Sequence, residues 1–323
     1  MRHVIFLIIL STYISHAHAE PLQPLAVSQN NPAMLRFFTP VALATPQEGR
    51  TSISFKQSYS SIFLADQLPN AKHYLADMEL YLAELKLAHS INSTSSIYLQ
   101  LPILRPNAGI LDPFLHQYHQ ALSLPNGGRE YRPENSYAYQ YSQTSKHWDS
   151  QPRWDIGNIQ AQWRYIWRKQ ENLQVSNAVA IKIPTAPSSR GWSNGGTDIA
   201  LGMIAAWQGT TWASHAEVWY THPLKRQDLG GDIRDYIRSN LSLGYNALYP
   251  FKATWIAQVQ GGNSPYQTGI AALDQSPWLI SAGIQVKQAS GNTWRMSFVE
   301  NITQSSTQDF GINIEIQMPI QQL

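Results

Sequence analysis

Residues 159–168 read IQAQWRYIWR, and this stretch decides the fold. Every second residue from Ile159 is apolar and three of these five are aromatic, whereas four of the five residues between them are polar or charged. Successive side chains of a β-strand point to opposite faces, so the stretch predicts a strand with one apolar face and one polar face. A strand of about ten residues, when tilted, is also long enough to cross a bilayer. The pattern indicates a strand that separates lipid from water.

The same period of two recurs along the chain, most regularly in residues 173–183, 251–260 and 310–318. Extending the pattern predicts about twelve strands. Their predicted bounds are 51–64, 73–90, 94–104, 156–168, 172–184, 196–207, 210–221, 235–247, 250–261, 277–287, 291–302 and 308–319. The alternation in 73–90 changes parity between Leu82 and Leu85, which predicts a β-bulge, although the leucine spacing there also fits a helix.

The connections alternate in length. Those after the even-numbered strands are short, such as Asn92-Ser93 and Gln208-Gly209, and those after the odd-numbered strands are mostly long. Outer-membrane barrels have an even number of strands, short periplasmic turns and long outer loops. We therefore predict an all-β fold, a transmembrane antiparallel β-barrel of about twelve strands with both termini on the side of the short turns. The alternative is a soluble periplasmic all-β binding protein.

The composition fits a surface that is neither charged nor conventionally polar. Charged residues make up 14% of the chain, well below the usual quarter, and there are 11 Trp and 16 Tyr. The formal net charge of +2 argues against a nucleic-acid partner. The chain has no cysteine, which excludes disulfides, thiol chemistry and a lipoprotein anchor.

The N-terminus has the features of a secretory signal peptide. Arg2 and His3 precede the apolar run Val4–Leu10, and Ala17-His18-Ala19 forms a cleavage site before Glu20. The expected location is the outer membrane of a Gram-negative bacterium. The predicted division of the chain is a signal peptide at 1–19, an N-terminal periplasmic segment at 20–50 and a barrel domain at 51–323 with a loop insertion at 105–155.

The insertion at 105–155 is too long for a plain loop and is expected to be structured or functional. A helix is predicted to begin at Asp112-Pro113, because aspartate caps helices and proline suits their first turn. Phe114, Leu115, Tyr118 and Leu122 then fall on one face. This short helix in the second outer loop is a candidate plug in the lumen or lid over the opening. The alternative is that it packs on the outer loops and has only a structural role.

If the apolar faces meet lipid, the opposite faces line the lumen. The candidates are Asp77, Glu79, Gln160, Gln162, Arg164, Lys182, His215, Glu217, Arg238, Asn240, Lys252, Arg295 and Glu315. About eight strands leave an interior filled by side chains and about sixteen leave a wide channel, so twelve strands permit a narrow pore or a small cavity. Basic candidates outnumber acidic ones, which weakly favours anionic solutes. The alternative is a closed interior of paired charges.

Catalytic and metal-binding patterns are weak. Ser214 and His215 are adjacent, so on a strand they point to opposite faces. Ser150 with His147 forms the one candidate pair for a lipid-active enzyme, in a loop composition that arises readily by chance. His116 and His119 have a spacing that metal ligands use, but no third ligand completes the set. We predict no catalytic residue, no cofactor and no metal.

Two stretches carry a family resemblance. They are LDPFLHQYH at 111–119, running to LPNGGR at 124–129, and FVENI at 298–302 with STQDFG at 306–311. These stretches resemble an uncharacterised proteobacterial family, the domain of unknown function numbered 3187, whose members look like exported barrel proteins. The resemblance implies an outer-membrane β-barrel and implies no activity, because none is assigned to the family.

The leading hypothesis is a passive channel or porin for small solutes. The other hypotheses are a structural or interaction barrel without transport, an outer-membrane lipid-active enzyme and the soluble periplasmic binding protein. The partners expected of the leading hypothesis are outer-membrane lipid, the outer-membrane assembly machinery and a small polar or anionic solute, with no nucleic acid.

Overall fold

The computed structural model describes residues 22–40, 50–67, 73–124, 128–143, 146–246, 253–303 and 306–320. The predicted signal peptide at 1–19, its cleavage site before Glu20 and the lumen candidate Lys252 lie outside the described residues. None of the helices in this part of the chain is long and apolar enough to cross a membrane.

Twelve antiparallel strands form a closed barrel, which confirms the predicted fold class. Their bounds are β1 Thr51–Gln67, β2 His73–Ser90, β3 Ser95–Asn107, β4 Ile159–Lys169, β5 Leu173–Ile183, β6 Asp198–Gln208, β7 Trp212–Pro223, β8 Tyr236–Asn246, β9 Ala253–Gly262, β10 Trp278–Lys287, β11 Thr293–Asn301 and β12 Phe310–Ile320. Each strand pairs with its neighbours along the chain. β1 also pairs with β12, from Thr51 opposite Ile320 to Ser61 opposite Phe310. The ring therefore leaves no unpaired edge between its strands.

The two ends of the barrel differ. Short turns join β2 to β3, β4 to β5, β6 to β7 and β10 to β11 at one end, which we call the short-turn end. The opposite end, the long-loop end, carries the other secondary structure between the strands. It includes α2 (Asp112–Leu122), α3 (Ala271–Asp274), a hairpin of Ala138–Gln143 with Lys146–Asp149, and a small sheet of Gln227–Asp228, Gly231–Ile233 and Tyr266–Gln267. Helix α1 (Pro32–Leu35) precedes β1.

The outward face of the strands forms an apolar belt. Large apolar side chains are exposed on it along the barrel, for example Leu201 and Met203 on β6 and Leu241 on β8. Exposed aromatic side chains form an arc near the short-turn end, on strands between β4 and β11: Tyr165, Trp167, Trp207, Trp212, Tyr245, Trp255 and Trp294. Outer-membrane barrels have an apolar band with aromatic residues at the membrane interfaces, and this surface has the same layout.

Strand β2 corrects part of the prediction. Its pairing with β1 and β3 runs without a register shift, so it contains neither the predicted bulge nor a helix. The apolar Met78, Leu80 and Leu82 point inward and are buried, and the prediction of Asp77 and Glu79 as lumen residues was therefore wrong. The alternation of polar and apolar residues was misleading here, because the inward side chains of this part of β2 are apolar. They pack against residues inside the barrel, among them Met34 and Phe37.

Asp77 and Glu79 lie on the outer face near the long-loop end, where the connection between β3 and β4 covers them. Asp77 accepts hydrogen bonds from Arg132 at 2.7 Å and Ser136 at 2.6 Å. Glu79 accepts the backbone N–H groups of Ile110 and Leu111 at 2.9 and 2.5 Å. Their carboxylates therefore fasten an outer loop to the barrel wall.

The barrel interior holds residues 22–40, which we call the plug segment. We expected a periplasmic location for residues 20–50, but the described part of this segment is almost entirely buried inside the barrel. Its sequence is rich in amides and prolines and lacks a strand period, which resembles an exposed linker. A polar barrel interior offers such a segment the hydrogen bonds that water would otherwise supply.

Helix α2 lies on the outside of the wall. Phe114 and Tyr118 contact Phe310, whose side chain belongs to the outward row of β12. Leu115 is buried, whereas Phe114 and Leu122 are exposed. The helix itself forms as predicted, but the expectation that Asp112, Phe114, Leu115, Tyr118 and Leu122 belong to a plug or lid was wrong.

Candidate functional site

The plug segment enters the barrel at the short-turn end. Leu22, Leu25 and Val27 form an apolar cluster with wall residues that include Ile256 and Leu279. The wall makes room for it with Gly244 and Gly283, where an added Cβ would lie 2.9 Å from the side chains of Leu22 and Leu25 respectively. The first part of the plug segment is thus held by close apolar packing.

The middle of the plug segment is held by polar groups of β1, of β2 and of the residues just before β12. The amide nitrogen of the Asn30 side chain donates to Ser60 at 2.7 Å and Ser58 at 3.2 Å, and its backbone N–H donates to Gln308 at 2.9 Å. Ser28 is hydrogen-bonded to both members of the buried ion pair between Lys56 and Glu84. Short polar side chains on the wall therefore recognise this stretch.

Arg36 fastens the tip of the plug segment to the long loops. It is the single charged residue of the segment, and only 1% of it is exposed. Its guanidinium binds Asp228 at 2.5 and 3.0 Å and donates to the carbonyl of Gly191 at 2.6 Å. Its Cζ lies 5.1 Å from the ring centroid of Trp148. Three different connections, between β3 and β4, β5 and β6, and β7 and β8, thus meet at one side chain.

The electrostatics of this contact favour the charged arginine. Burial alone would lower the pKa of Arg36, but the neighbouring Asp228 carboxylate raises it well above its ordinary value. Breaking a buried pair of this kind leaves an uncompensated charge, which is why each partner depends strongly on the other. We call the contact between Arg36 and Asp228 the latch.

Aromatic residues of the loops surround the tip. Phe37 packs edge-on against Tyr266 and Tyr236, with ring centroids 5.0 and 6.0 Å apart. The hydroxyl of Tyr236 donates to the carbonyl of Phe38 at 2.7 Å. These rings belong to a buried cluster with Tyr74, Tyr139, Tyr141 and Trp192, so the tip of the plug segment forms part of the core of the long-loop end.

A second polar anchor lies beside the latch, on β5 and β6. Lys182 donates to the carbonyl of Arg36 at 2.9 Å and to Asn194 at 2.8 Å. Asp198 accepts the backbone N–H of Phe38 at 2.7 Å and lies 3.3 Å from the Lys182 ammonium group. Both charged side chains are fully buried. The anchor fixes the backbone of the plug segment, whereas the latch fixes its side chain.

Most of the predicted lumen residues are on the inner wall. The ten that point inward are Gln160, Gln162, Arg164, Lys182, His215, Glu217, Arg238, Asn240, Arg295 and Glu315. Glu315 binds Arg295 at 2.6 Å and Lys86 at 3.2 Å, and Glu217 accepts from Asn240 at 3.0 Å. Glu315 is thus paired with Arg295 on the neighbouring β11 and with Lys86 on β2, across β1.

The sequence interpretation missed Lys56, Glu84 and Lys86, which also belong to the inner wall. Lys56 lies in the polar row of β1 with Ser54 and Ser58, so the period of two was sufficient to find it. Glu84 and Lys86 lie on β2, where the apolar inner residues gave the wrong parity. The plug segment has no period of two, so its place inside the barrel was not recognisable from the sequence.

Small cavities lie between the plug segment and the inner wall. Three cavities of about 40, 30 and 30 Å³ lie along the plug segment. Gln100 and Gln160 line the first and the third of them, and Gln29 lines the second and the third. A water molecule needs about 10–15 Å³ by this measure, so each cavity holds about two or three waters. The plug segment and the inner wall together line these cavities.

The described residues contain no group of three or more His, Asp or Glu that could hold a metal ion. His119 is buried against the wall and His116 is exposed, so the structure does not present them as a pair to solvent. Ser150 is buried, and the side chains of His147 and Asp149 lie outside the described part.

The matching family model is that of a protein of unknown function (DUF3187), and it covers residues 1–318. The chain belongs to the DUF3187 family. No curated protein matches this family member significantly.

Solved structures similar to this DUF3187 protein are barrels. The COG4313 outer membrane channel from Pseudomonas putida F1 is 11% identical with a TM-score of 0.55, covering 85% of this chain and 97% of that chain. The NanC porin is 10% identical with a TM-score of 0.49, covering 84% and 100%. The KdgM porin is 5% identical with a TM-score of 0.45, covering 84% and 99%. The likeness to the COG4313 channel, at a TM-score of 0.55 and 11% identity, bears on the fold alone and leaves the solute open.

Proposed function

We propose that this DUF3187 protein is an outer-membrane channel whose plug segment is a gate, closed in the state described above. The observation that carries the proposal is a charged, hydrogen-bonding inner wall occupied by a separate stretch of chain. A barrel that serves only as a scaffold has no need of charged groups in its wall, because an apolar interior is often as stable.

The outer surface of the barrel is what supports a location in the membrane. The belt exposes side chains such as Leu201, Met203 and Leu241, and water does not favour so large a continuous apolar surface. Bilayer hydrocarbon covers it, and the arc of Trp and Tyr side chains near the short-turn end fits a headgroup interface. A heat-modifiability gel on outer-membrane fractions tests this location: a folded barrel migrates differently before and after boiling.

The gate rests on how the plug segment is held. Its contacts with the wall are hydrogen bonds, apolar packing and the latch, so release breaks no covalent bond and leaves the β1 to β12 pairing intact. Release would expose the inner wall, where the buried basic residues Lys56, Arg164, Lys182, Arg238 and Arg295 outnumber the acidic Glu84, Asp198, Glu217 and Glu315. We extend the proposal to small anions as the favoured permeant class.

The test uses a reversible tether in a chain that has no cysteine of its own. Asn30→Cys and Ser60→Cys place two thiols where the side chains now hydrogen-bond at 2.7 Å, and Arg36→Gln is added to weaken the latch. In planar bilayers, we expect the reduced protein to conduct and the oxidised protein to be closed. In a potassium chloride gradient, the sign of the reversal potential should show that chloride permeates more readily than potassium.

Each outcome has a definite meaning. Conductance that is the same in oxidised and reduced protein overturns the gate, and the two single-cysteine variants control for the reagents. If the reduced protein conducts nothing, the channel is excluded. The second candidate, a sealed structural barrel, is then favoured, and the small size of the three interior cavities already speaks for it.

A further inference from the structure

Helix α2 is clamped to the outer face of the barrel by Arg129, whose side chain is 11% exposed. Arg129 forms ion pairs with Asp112 at the start of the helix and with Asp309 at the start of β12, the latter at 2.6 Å. Its Cζ also lies 5.4 Å from the ring centroid of Phe63, in the outward row of β1. The helix is therefore held on the surface that carries the apolar belt, at the long-loop end.

The helix has three distinct sides. Asp112, Leu115 and His119 form the buried side against the wall. At 100° per residue, Phe114, Tyr118 and Leu122 follow one flank of this buried side. Of these, Phe114 is 50% and Leu122 is 56% exposed. The other flank carries the exposed, polar His116, Gln117 and Gln120. One flank is thus apolar and uncovered, and the other is suited to water.

The apolar flank continues the belt without a break. Phe114 lies 5.7 Å from Phe310 between ring centroids, and Phe310 lies 6.5 Å from Phe298, which is exposed on the belt. Tyr118 stacks on Phe114 at 5.9 Å and also contacts Phe310 at 6.0 Å. Ile110, just before the helix, is exposed as well. The helix extends the apolar surface outward from the wall.

We propose that α2 is a membrane-interface helix, with Phe114, Tyr118 and Leu122 immersed among the acyl chains of the leaflet at the long-loop end. The proposal rests on the membrane location proposed above, and not on the gate. Continuity with the belt identifies the occupant, because Phe298 is exposed on the belt and the flank of α2 adjoins it through the buried Phe310, so the lipid that covers Phe298 also reaches the flank. Amphipathic helices lie in membrane interfaces in this orientation, with the polar flank toward water.

The test compares three single-cysteine variants of the full chain, Leu122→Cys, Gln120→Cys and Met203→Cys, each labelled with an environment-sensitive fluorophore. Proteins are inserted into phosphatidylcholine vesicles that contain spin-labelled lipid with the quencher either near the headgroup or deep in the chain. Met203 lies on the belt of β6 and reports whether the barrel is in the bilayer. A heat-modifiability gel restricts the comparison to folded variants.

We expect the label at 122 to be quenched at least threefold more strongly by the shallow lipid than the label at 120, and the label at 203 to be quenched by the deep lipid. Iodide in the water should quench the label at 120 more than that at 122. Equal behaviour at 122 and 120, with quenching intact at 203, overturns the interface helix and leaves the barrel in the membrane. No lipid quenching at 203 overturns the membrane location, and the interface helix with it.

Discussion

The plug segment and helix α2 are two irregular stretches fastened to the same barrel, one on each side of its wall. Each is held by one arginine in ion pairs, the buried Arg36 inside with Asp228 and the partly buried Arg129 outside with Asp112 and Asp309. We expected the first stretch outside the barrel and considered the second for its lumen, and the structure has them the other way round. The two stretches lie on different sides of the wall because their side chains suit different surfaces. The amides of residues 22–40 match a hydrogen-bonding wall, whereas Phe114 and Leu122 match an apolar one.

The largest difference should appear when each of the two arginines is replaced by a neutral residue, because only the loss of Arg36 should change the conductance. Arg36→Gln leaves Asp228 buried without its partner, which costs about 3–5 kcal/mol, on the order of a hundredfold or more in the equilibrium between docked and released plug. We expect single-channel openings in planar bilayers to rise by that order. Arg129→Gln is the matched control: it loosens α2 but should leave conductance at the level of the unmodified protein. Equal conductance in both variants would contradict the prediction that Arg36 keeps the lumen closed.

The next effect contrasts two phenylalanines. Phe37 is buried between the rings of Tyr236 and Tyr266, so Phe37→Ala should lower the free energy of unfolding by about 3–5 kcal/mol. Phe114 is half exposed on α2, and Phe114→Ala should cost less than about 1.5 kcal/mol in detergent micelles, because less surface is lost from packing. Urea unfolding, followed by Trp fluorescence, measures both. A larger loss for Phe114→Ala would reverse the ranking of the two regions.

A smaller effect separates the two faces of β2. Glu84 is paired with Lys56 on the inner wall, whereas Glu79 accepts two backbone N–H groups on the outer face. Glu84→Gln should destabilise the barrel by about 3 kcal/mol because Lys56 loses its partner. Glu79→Gln keeps an acceptor oxygen and should cost about 1 kcal/mol. The same urea titration compares them, and equal losses would place both side chains in equivalent surroundings.

The smallest expected effect concerns a surface contact at the long-loop end. Hydrogen bonds from Tyr220 and Arg226 lower the pKa of Asp235 to about 2. A lowered folded pKa means that the contribution to stability is present above the ordinary aspartate pKa of about 3.9 and is lost as the pH falls toward 2. The group is near the surface, so the contribution should stay below about 1 kcal/mol. Asp235→Asn should therefore flatten the stability between pH 4 and 2 slightly, and an unchanged profile would exclude this carboxylate.

Periodicity was sufficient for the twelve strands because each has one face toward an apolar surface and one toward a polar interior. It failed on β2, where Met78, Leu80 and Leu82 point inward because the plug segment and its surrounding core supply an apolar contact there. It gave no placement for residues 22–40 or for α2, since neither follows a strand period. Their positions depend on contacts across the fold, such as Arg36 with Asp228 and Phe114 with Phe310, which local sequence does not encode.

In the proposed outer-membrane channel with its long-loop end outward, the convergence of three loops on Arg36 also bears on recognition of the protein from outside the cell. The carbonyl of Gly191, the carboxylate of Asp228 and the ring of Trp148 keep their relative positions through a side chain that comes from inside the barrel. Withdrawal of that side chain removes their common support, so the epitope formed by these loops changes together with the lumen. An antibody fragment selected against the closed protein would then report the position of the plug segment on living cells.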